Sequence, residues 1–325
     1  MEITTYQNRS LIMAKKKPKI DRKKYKNMPI EDRIRLVENL YIHFPRNETA
    51  LKAIKECHNH AKAANEAEGL LIQGDTGAGK TTIIRLYARD HQRTFTDDGS
   101  IVPVLCASVP VPATCKSLAT SLLTAIGDPA AEKGTQISQT NRLKRYFQAC
   151  NVELLILDEF QHFQDRDSKK VLKTVSDWLK LLMDQTRVPI VLSGLPYSHT
   201  ILDDTGNEQL QRRFATRIDL EPFGYETSTE KKDFRRFLNA IDAKLPLAEK
   251  SNLADPSTAL CIYEATSGVV AHVMKLIRRA TVIALEKHAE VLTFEILSLA
   301  YEQRLAANDP GKPNPFGEIA QPAKK

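Results

Sequence analysis

The sequence has few of the features that membrane, secreted or disulfide-stabilised proteins need. No apolar run in its 325 residues approaches the roughly 20 residues that span a bilayer. The apolar stretch Leu11-Ile12-Met13 is too short for the apolar part of a signal peptide. The five cysteines form no C-x-x-C pair, and their odd number disfavours a disulfide or metal framework. These absences predict a cytoplasmic protein with free thiols and no membrane association.

Outside its first 28 residues, the sequence also lacks net charge. Nine of the 47 Lys and Arg residues and two of the 40 Asp and Glu residues lie in residues 1–28. The remaining 38 basic and 38 acidic residues balance, so the formal charge of +7 belongs to this segment. A segment of this composition cannot bury a core, and we predict a disordered tail. Such a tail either attracts phosphate backbones without reading their sequence or is merely a solvated extension.

The most informative motif follows a short apolar run at residues 69–73. It is Gly74-Asp75-Thr76-Gly77-Ala78-Gly79-Lys80-Thr81, which matches the pattern G-x-x-x-x-G-K-[ST], and a helical pattern begins at Thr82. The glycines let backbone N–H groups surround phosphates, and the helix adds its positive N-terminal end. Lys80 is expected to reach the β- and γ-phosphates, while the Thr81 hydroxyl binds Mg²⁺. The sequence therefore predicts a site for a nucleoside triphosphate with Mg²⁺, formed by this motif and Thr82.

Apolar runs that alternate with helical patterns indicate the fold class. Strands are predicted at residues 70–73, 102–107, 154–157, 188–192 and 217–220, and helices from the phosphate loop to about residue 91, and at 115–126, 138–150 and 168–185. This alternation is typical of a parallel sheet in a three-layer α/β/α fold. After about residue 223 only helices are predicted, the first from the spacing of Phe234, Phe237, Leu238 and Ile241, and others at 256–265, 269–288 and 293–305. The sequence therefore predicts an α/β domain with a five-stranded parallel sheet, followed by a small all-helical domain.

Two acidic residues end one of the predicted strands. The apolar run Leu154-Leu155-Ile156-Leu157 is followed directly by Asp158 and Glu159. A buried strand in the same sheet as the phosphate loop would place Asp158 beside Thr81, where both are expected to hold Mg²⁺. Glu159 is then expected to polarise the attacking water as general base. An ordinary strand end also explains the pattern, but its position downstream of a phosphate loop favours the catalytic interpretation.

Polar residues near two later strands are further candidates. Ser193 follows the strand at 188–192, and it either hydrogen-bonds the γ-phosphate or the attacking water or is a simple turn residue. Arg212 and Arg213 precede Phe214 on a short predicted helix. One of these arginines is a candidate arginine finger, which stabilises the charge on a phosphoryl group bound by a neighbouring subunit. Surface arginines on a solvated helix are the alternative.

Taken in order, these motifs resemble an AAA+ ATPase of the initiator-like branch. Residues 30–305 are similar to the TniB/TnsC family, the ATPases of transposons that use a DDE transposase and a TniQ-type partner. The resemblance is carried by Tyr41-Ile42-His43-Phe44-Pro45-Arg46, Asp158-Glu159-Phe160-Gln161-His162, Ser193-Gly194-Leu195-Pro196, and Ser267-Gly268-Val269-Val270 leading into Lys275-Leu276-Ile277-Arg278-Arg279-Ala280. It implies an AAA+ P-loop NTPase fold with a helical lid. We expect a basic disordered tail (1–28), an N-terminal helical segment (29–68), an ATPase core (69–222), a lid (223–306) and a disordered C-terminal tail (307–325).

The resemblance also implies a function. Members of the family hydrolyse ATP with Mg²⁺, assemble on double-stranded DNA as homo-oligomeric rings or helical filaments, and mark the target for their transposase. The DNA backbone is contacted by a loop and helix start after the second strand, which match Thr114 and Lys116 here. Because the family's finger usually precedes an aromatic residue, Arg213 is the first candidate and Arg212 the second.

One departure from the AAA+ pattern concerns the lid. Such lids commonly place an arginine three residues after the lid glycine, toward the nucleotide. In this chain Gly268 is followed by Val269-Val270-Ala271-His272, and His272 or Lys275 are the substitutes. The sequence therefore leaves the presence of a phosphate sensor on the lid undecided.

Two other functions fit the same ATPase motifs. A signalling NTPase that uses ATP as a switch without binding DNA agrees with the neutral charge of residues 29–325. An AAA+ loader of a replicative helicase would associate with a helicase instead of a transposase. A small-molecule kinase fits less well, because lid helices and paired arginines suit a self-assembling ATPase. ATP-dependent DNA binding at moderate salt distinguishes the first of these alternatives from a DNA-binding regulator.

Overall fold

Parallel strands form the centre of the molecule. The computed structural model describes residues 22–63, 66–97, 99–163, 169–203 and 208–317. Its strands are β1 (Gly69–Gly74), β2 (Thr94–Thr96), β3 (Gly99–Ile101), β4 (Val104–Ser108), β5 (Leu154–Asp158), β6 (Ile190–Gly194) and β7 (Thr216–Leu220). Five of them form one parallel sheet in the order β4-β5-β6-β1-β7, while β2 and β3 pair as a separate antiparallel hairpin. The predicted five-stranded parallel sheet is confirmed.

Helices cover both faces of this sheet. The helices are α1 (Ile30–Glu38), α2 (Pro45–Ala63), α3 (Lys80–Arg89), α4 (Cys115–Ile126), α5 (Gln136–Ala149), α6 (Lys169–Thr186), α7 (Thr200–Asp203), α8 (Glu208–Arg213), α9 (Ser228–Lys244), α10 (Pro256–Thr266), α11 (Val270–Glu286) and α12 (Phe294–Arg304). Side chains alternate along each strand, so Leu70 and Ile72 pack against α2 and α3, whereas Leu71 packs with the cluster of α4, α5 and α6. The three-layer α/β/α architecture is therefore also confirmed.

The strand order places the site at one edge of the sheet. Strands β5, β6 and β1 are neighbours and parallel, with Leu157 opposite Leu192 and Leu71 also opposite Leu192. Their carboxyl ends therefore meet, and these ends carry Asp158, Ser193 and the start of the phosphate loop at Gly74. Ligands of open α/β sheets bind at such carboxyl ends.

Helices α9 to α12 form the helical lid that the sequence predicts. Their inward side chains make a second hydrophobic cluster that includes Phe234, Phe237, Leu238 and Ile241 of α9. Helix α9 begins at a capping box, in which the Thr227 hydroxyl accepts from the Glu230 N–H and the Glu230 carboxylate accepts from the Thr227 N–H. The apolar spacing and the cap together explain why this helix is predictable from the sequence.

The segment before α2 packs on the lid instead of on the sheet. Val37, Ile42 and Phe44 are buried in the lid cluster. Arg33 of α1 makes a bidentate ion pair with Glu290, with N–O distances of 2.5 and 3.0 Å, and donates to the Pro246 carbonyl at 2.7 Å. Within the predicted N-terminal helical segment (29–68), α1 therefore packs on the lid while α2 packs on the sheet.

Both predicted tails are partly structured. Residues Arg22–Asn27 form a 3-10 helix in which Tyr25 is buried, and Arg22 donates to the Glu249 carbonyl at 2.6 Å. Near the other end Phe316 is buried in the lid cluster, and the Asn314 amide donates to the Ser298 hydroxyl at 2.9 Å. Disorder was therefore the wrong expectation for residues 22–28 and 307–317, because aromatic side chains anchor both segments. Residues 1–21 and 318–325 lie outside the described residues.

Candidate nucleotide-binding site

The phosphate loop joins β1 to α3 through glycines in unusual conformations. Gly77 and Gly79 have φ angles of +84° and +100°, which side-chain-bearing residues rarely adopt. Gly79 is also the residue that caps α3, so the helix begins at Lys80. A Cβ on Gly77 would lie only 3.0 Å from the Ala271 Cβ of the lid. The loop therefore needs glycine both for its backbone shape and for its contact with the lid.

Lys80 is buried at the base of this loop. Its ammonium donates to the carbonyl oxygens of Gly74 at 2.5 Å and Asp75 at 3.0 Å. Burial lowers the pKa of Lys80, whereas the nearby carboxylates of Asp158 and Glu159 act in the opposite direction. A buried cation beside exposed backbone N–H groups suits an anionic ligand such as a polyphosphate.

Asp158, at the end of β5, links Ser193 at the end of β6 to Thr81 in the first turn of α3. One carboxylate oxygen accepts from the Thr81 hydroxyl and the other from the Ser193 hydroxyl, each at 2.7 Å. Ser193 is fully buried within β6, so it is not a turn residue, and its hydroxyl supports the Asp158 carboxylate. The structure thus brings together Thr81, Asp158 and Ser193, and their oxygens are the hard ligands that Mg²⁺ prefers.

Glu159 follows Asp158 in a left-handed conformation with a φ of +59°. Its N–H donates to the Asp158 carboxylate at 3.0 Å, and its own carboxylate accepts a hydrogen bond from the Gln161 amide. The amide oxygen of Gln161 in turn accepts from the Leu195 N–H at 3.2 Å. In the sequence, Gln161 belongs to the stretch Asp158-Glu159-Phe160-Gln161-His162 that carries the family resemblance, but no role is predicted for it.

A cavity of about 750 Å³ opens beside these groups. Several parts of the chain line it, among them the phosphate loop and Glu159, the lid helix α11, the segment before α2 with Leu40, Tyr41, Ile42 and Phe44, and Asn47 of α2. Its size is within the range of about 300–1,000 Å³ that is usual for ligand pockets. The lining combines polar and cationic groups of the phosphate loop and α11 with apolar side chains such as Ile42 and Phe44, a combination that suits a nucleotide.

The lid contacts the phosphate loop directly. The Ala271 N–H donates to the Gly77 carbonyl at 3.1 Å, so the position three residues after Gly268 holds this contact instead of an arginine. Among the described residues, Lys275 and Arg278 of α11 line the cavity but His272 does not. Arg278 donates to the Leu40 carbonyl at 3.1 Å. Of the two substitutes for a lid sensor, the structure places Lys275 at the cavity.

The two candidate finger residues are in different surroundings. Arg213 is only 15% exposed and pairs with Asp184 of α6 at 2.5 Å. Arg212 is 81% exposed, with Glu208 on its own helix 3.8 Å away. Phe214, which follows, is fully buried beneath β1. Of these two arginines, only Arg212 therefore projects into solvent in the isolated chain.

Thr114 and Lys116 lie at the start of α4. Thr114 is the N-cap, and its hydroxyl oxygen accepts from the Ser117 N–H at 3.0 Å, while Lys116 is exposed. The loop before them begins beside the site, because the Val109 N–H donates to the Asp158 carbonyl at 2.9 Å. Val111 in this loop is 74% exposed. The predicted DNA contacts thus lie at the start of a helix, and the loop before that helix is anchored to the strand that carries Asp158.

Comparison with solved structures supports the fold assignment. Cdc6p from Pyrobaculum aerophilum is 14% identical over 86% of this chain and 74% of its own, with a TM-score of 0.61. The Aeropyrum pernix ORC1 protein, solved in complex with DNA, is 17% identical over 83% of this chain and 69% of its own, with a TM-score of 0.59. These likenesses show the fold, which together with the phosphate loop is that of an α/β P-loop NTPase.

The family within this class follows from the sequence comparison. The family model described as bacterial TniB protein matches residues 33–224, which is more than half of the chain. This chain therefore belongs to the bacterial TniB family. A search of curated proteins found no match. Among the described residues, no helix combines the length and apolar composition that crossing a membrane requires.

Proposed function

We propose that this chain is an ATPase that assembles on double-stranded DNA and regulates transposition by recruiting or activating a DDE transposase. The observation that supports it most is the Asp158 carboxylate, which joins Thr81 to Ser193 beside a complete phosphate loop in a TniB family member. A TniQ-type targeting protein is the second partner that family membership suggests.

The residues of the site have different roles in ATP hydrolysis. Lys80 and the loop N–H groups from Asp75 to Thr82 hold the phosphates, and Thr81 with Asp158 would hold Mg²⁺. When bound, Mg²⁺ offsets the negative charge of the phosphate oxygens. Glu159 orients the attacking water and accepts its proton, while Ser193 keeps the Asp158 carboxylate in place. Lys275 of the lid is close enough to the cavity to sense the bound phosphates.

Assembly would supply the remaining positive charge from a neighbouring subunit. An arginine finger must be accessible to reach a phosphate bound elsewhere, and Arg212 meets this condition whereas Arg213 is paired with Asp184. We therefore propose Arg212 as the finger and Arg213 as the residue that holds α8 on α6. This order is the reverse of the one that the family resemblance gave.

Arg212→Ala should remove most ATP hydrolysis, by about 100-fold or more, while leaving nucleotide affinity unchanged. Arg213→Ala and Asp184→Ala should instead share a lowered melting temperature. The measurement is ATPase rate against protein concentration, which should rise faster than linearly for the wild type. Mixing Arg212→Ala with Lys80→Ala subunits should restore some activity at interfaces with one intact loop and one intact finger. A linear wild-type dependence with no effect of Arg212→Ala would exclude a finger acting between subunits.

Two features support DNA as the ligand of the assembly. The Aeropyrum pernix ORC1 protein and the Drosophila ORC, which is 13% identical with a TM-score of 0.53, are both described as bound to DNA. In this chain the exposed Lys116 and the N-terminus of α4 present positive charge beside the site. Contacts of this kind are made to phosphates, so we expect little sequence preference.

Lys116→Ala should disrupt ordered assembly on DNA while leaving ATP affinity intact, because one contact is lost in every subunit. Deleting residues 1–21 should instead weaken binding and reduce its dependence on salt, because it removes five basic and only two acidic residues. This deletion spares the packed 3-10 helix at Arg22–Asn27. The measurement is DNA binding with ATP across a salt series. The matched control is Lys144→Ala on α5, whose ammonium makes a solvent-exposed hydrogen bond to Asn141. If the wild type binds no DNA with any nucleotide, a switch-like NTPase is the better description.

A helicase loader would pass the DNA test as well. It is distinguished by its partner, since a loader should retain a replicative helicase and a transposition regulator a DDE transposase. Co-purification with each candidate, with ATP and with ADP, separates these two functions.

A further inference from the structure

Gln161 connects the two halves of the candidate site. Its amide N–H donates to the Glu159 carboxylate oxygen Oε2, and its amide oxygen accepts from the Leu195 N–H at 3.2 Å. Leu195 directly follows β6, the strand that carries Ser193. One side chain therefore ties the proposed general base to the end of the neighbouring strand.

The fold holds Gln161 in this position. It lies in the 3-10 helix Phe160–Phe163, between two fully buried phenylalanines whose ring centroids are 5.6 Å apart. Gln161 itself is 6% exposed. A Cβ on Gly194 would lie 3.0 Å from the Gln161 amide oxygen and 2.2 Å from the Ser198 hydroxyl, so only glycine fits there. The backbone of Gln161 is anchored, its side chain is buried, and Gly194 lies close to it. These constraints restrict the side chain to one conformation.

Glu159 depends on this contact for its direction. Its backbone is held by the N–H bond to Asp158 and by its carbonyl, which accepts from the His162 N–H at 3.1 Å, but neither bond directs the side chain. A φ of +59° is also uncommon for a residue with a side chain. Among the described residues, the Gln161 amide is the hydrogen-bond donor found for the Glu159 carboxylate. Glu159 also lines the cavity. With Oε2 held by Gln161, the carboxylate has one oxygen left for a water molecule.

We propose that Gln161 is a positioning residue that orients the Glu159 carboxylate for proton abstraction from water. The proposal rests on the ATPase function proposed above. It adds that the productive direction of Glu159 is set from the end of β6, through the chain Leu195–Gln161–Glu159. Gln161 acts through Glu159, because both ends of its amide are engaged by Glu159 and the Leu195 N–H.

Two substitutions separate the role of the amide from its role in packing. Gln161→Met has the same chain length and no hydrogen-bonding group, whereas Gln161→Glu keeps an acceptor for Leu195 and places a carboxylate against Glu159. Both should lower kcat for ATP hydrolysis by about 10- to 100-fold, as loss of an orienting partner usually does. ATP affinity should stay within about twofold, because the Gln161 amide is buried and already bonded to Glu159 and Leu195. Gln139→Met is the matched control, since Gln139 is fully buried and bonds Thr120 and Ala131 away from the site.

A double-mutant cycle tests whether Gln161 acts through Glu159. Adding Gln161→Met to Glu159→Gln should change the residual rate by less than about twofold, because the oriented group is already gone. Full additivity, a wild-type rate for both single variants, or a rate above wild type would each overturn the proposal. A wild type that binds and hydrolyses no ATP would instead overturn the ATPase function. Melting temperatures of all variants identify any that lose rate by unfolding.

Discussion

Lys80→Ala should abolish measurable ATP binding. The Lys80 ammonium is buried against the carbonyl oxygens of Gly74 and Asp75, at the point where the loop N–H groups converge. Without it, the phosphates would have to bind beside the carboxylates of Asp158 and Glu159 after loss of the loop's own buried cation. Titration calorimetry with ATP and Mg²⁺ measures the loss directly, and ATP-dependent assembly on DNA should disappear with it.

The matched control for this loss is Lys116→Ala, which removes the same charge from an exposed position on α4. It should bind ATP as the wild type does. Near-normal ATP affinity of Lys80→Ala would show that residues 74–81 are not the phosphate site, whatever the fold suggests.

Glu159→Gln should spare ATP affinity and lower the hydrolysis rate by about 10²–10⁴-fold, the usual effect of removing a positioned general base. The amide keeps the size of the side chain but cannot accept a proton from water. The variant should therefore accumulate in an ATP-bound assembled state, which sedimentation or imaging with DNA and ATP detects.

Glu153→Gln controls for loss of a carboxylate at the other end of the same strand. Glu153 interacts with His58 at 3.1 Å, behind the sheet and away from the cavity, so its rate should match the wild type. A wild-type hydrolysis rate for Glu159→Gln would mean that another residue accepts the proton.

The fold was predictable from sequence where local signals agree. Helix α4 was placed at its true ends because the Thr114 cap precedes it and Gly127, with a φ of +100°, ends it. Strand β5 is buried along its whole length, so its apolar run stands out. The β2–β3 hairpin was missed, because three exposed residues in β2 leave no apolar alternation to read.

The site was predictable to the level of its motifs but not of its contacts. Asp158 and Thr81 were expected together because both belong to motifs with known spatial roles. The supporting bond from Ser193, the lid contact of Ala271 with Gly77 and the pairing of Arg213 with Asp184 join residues far apart in sequence. Local sequence patterns contain no information about such pairings, so these contacts are known only from the folded structure.

The packing of α1 on the lid also has a consequence for biosynthesis. Arg33 and its partner Glu290 are separated by 257 positions in the chain, and α11 and α12 are needed to bury Val37. At translation rates of about 5–20 residues per second, the segment before α2 is synthesised on the order of 10–50 s before these partners. During that time its apolar side chains have nothing of their own chain to cover them. We therefore expect the nascent protein to engage holding chaperones near its N-terminus until the last lid helix leaves the ribosome.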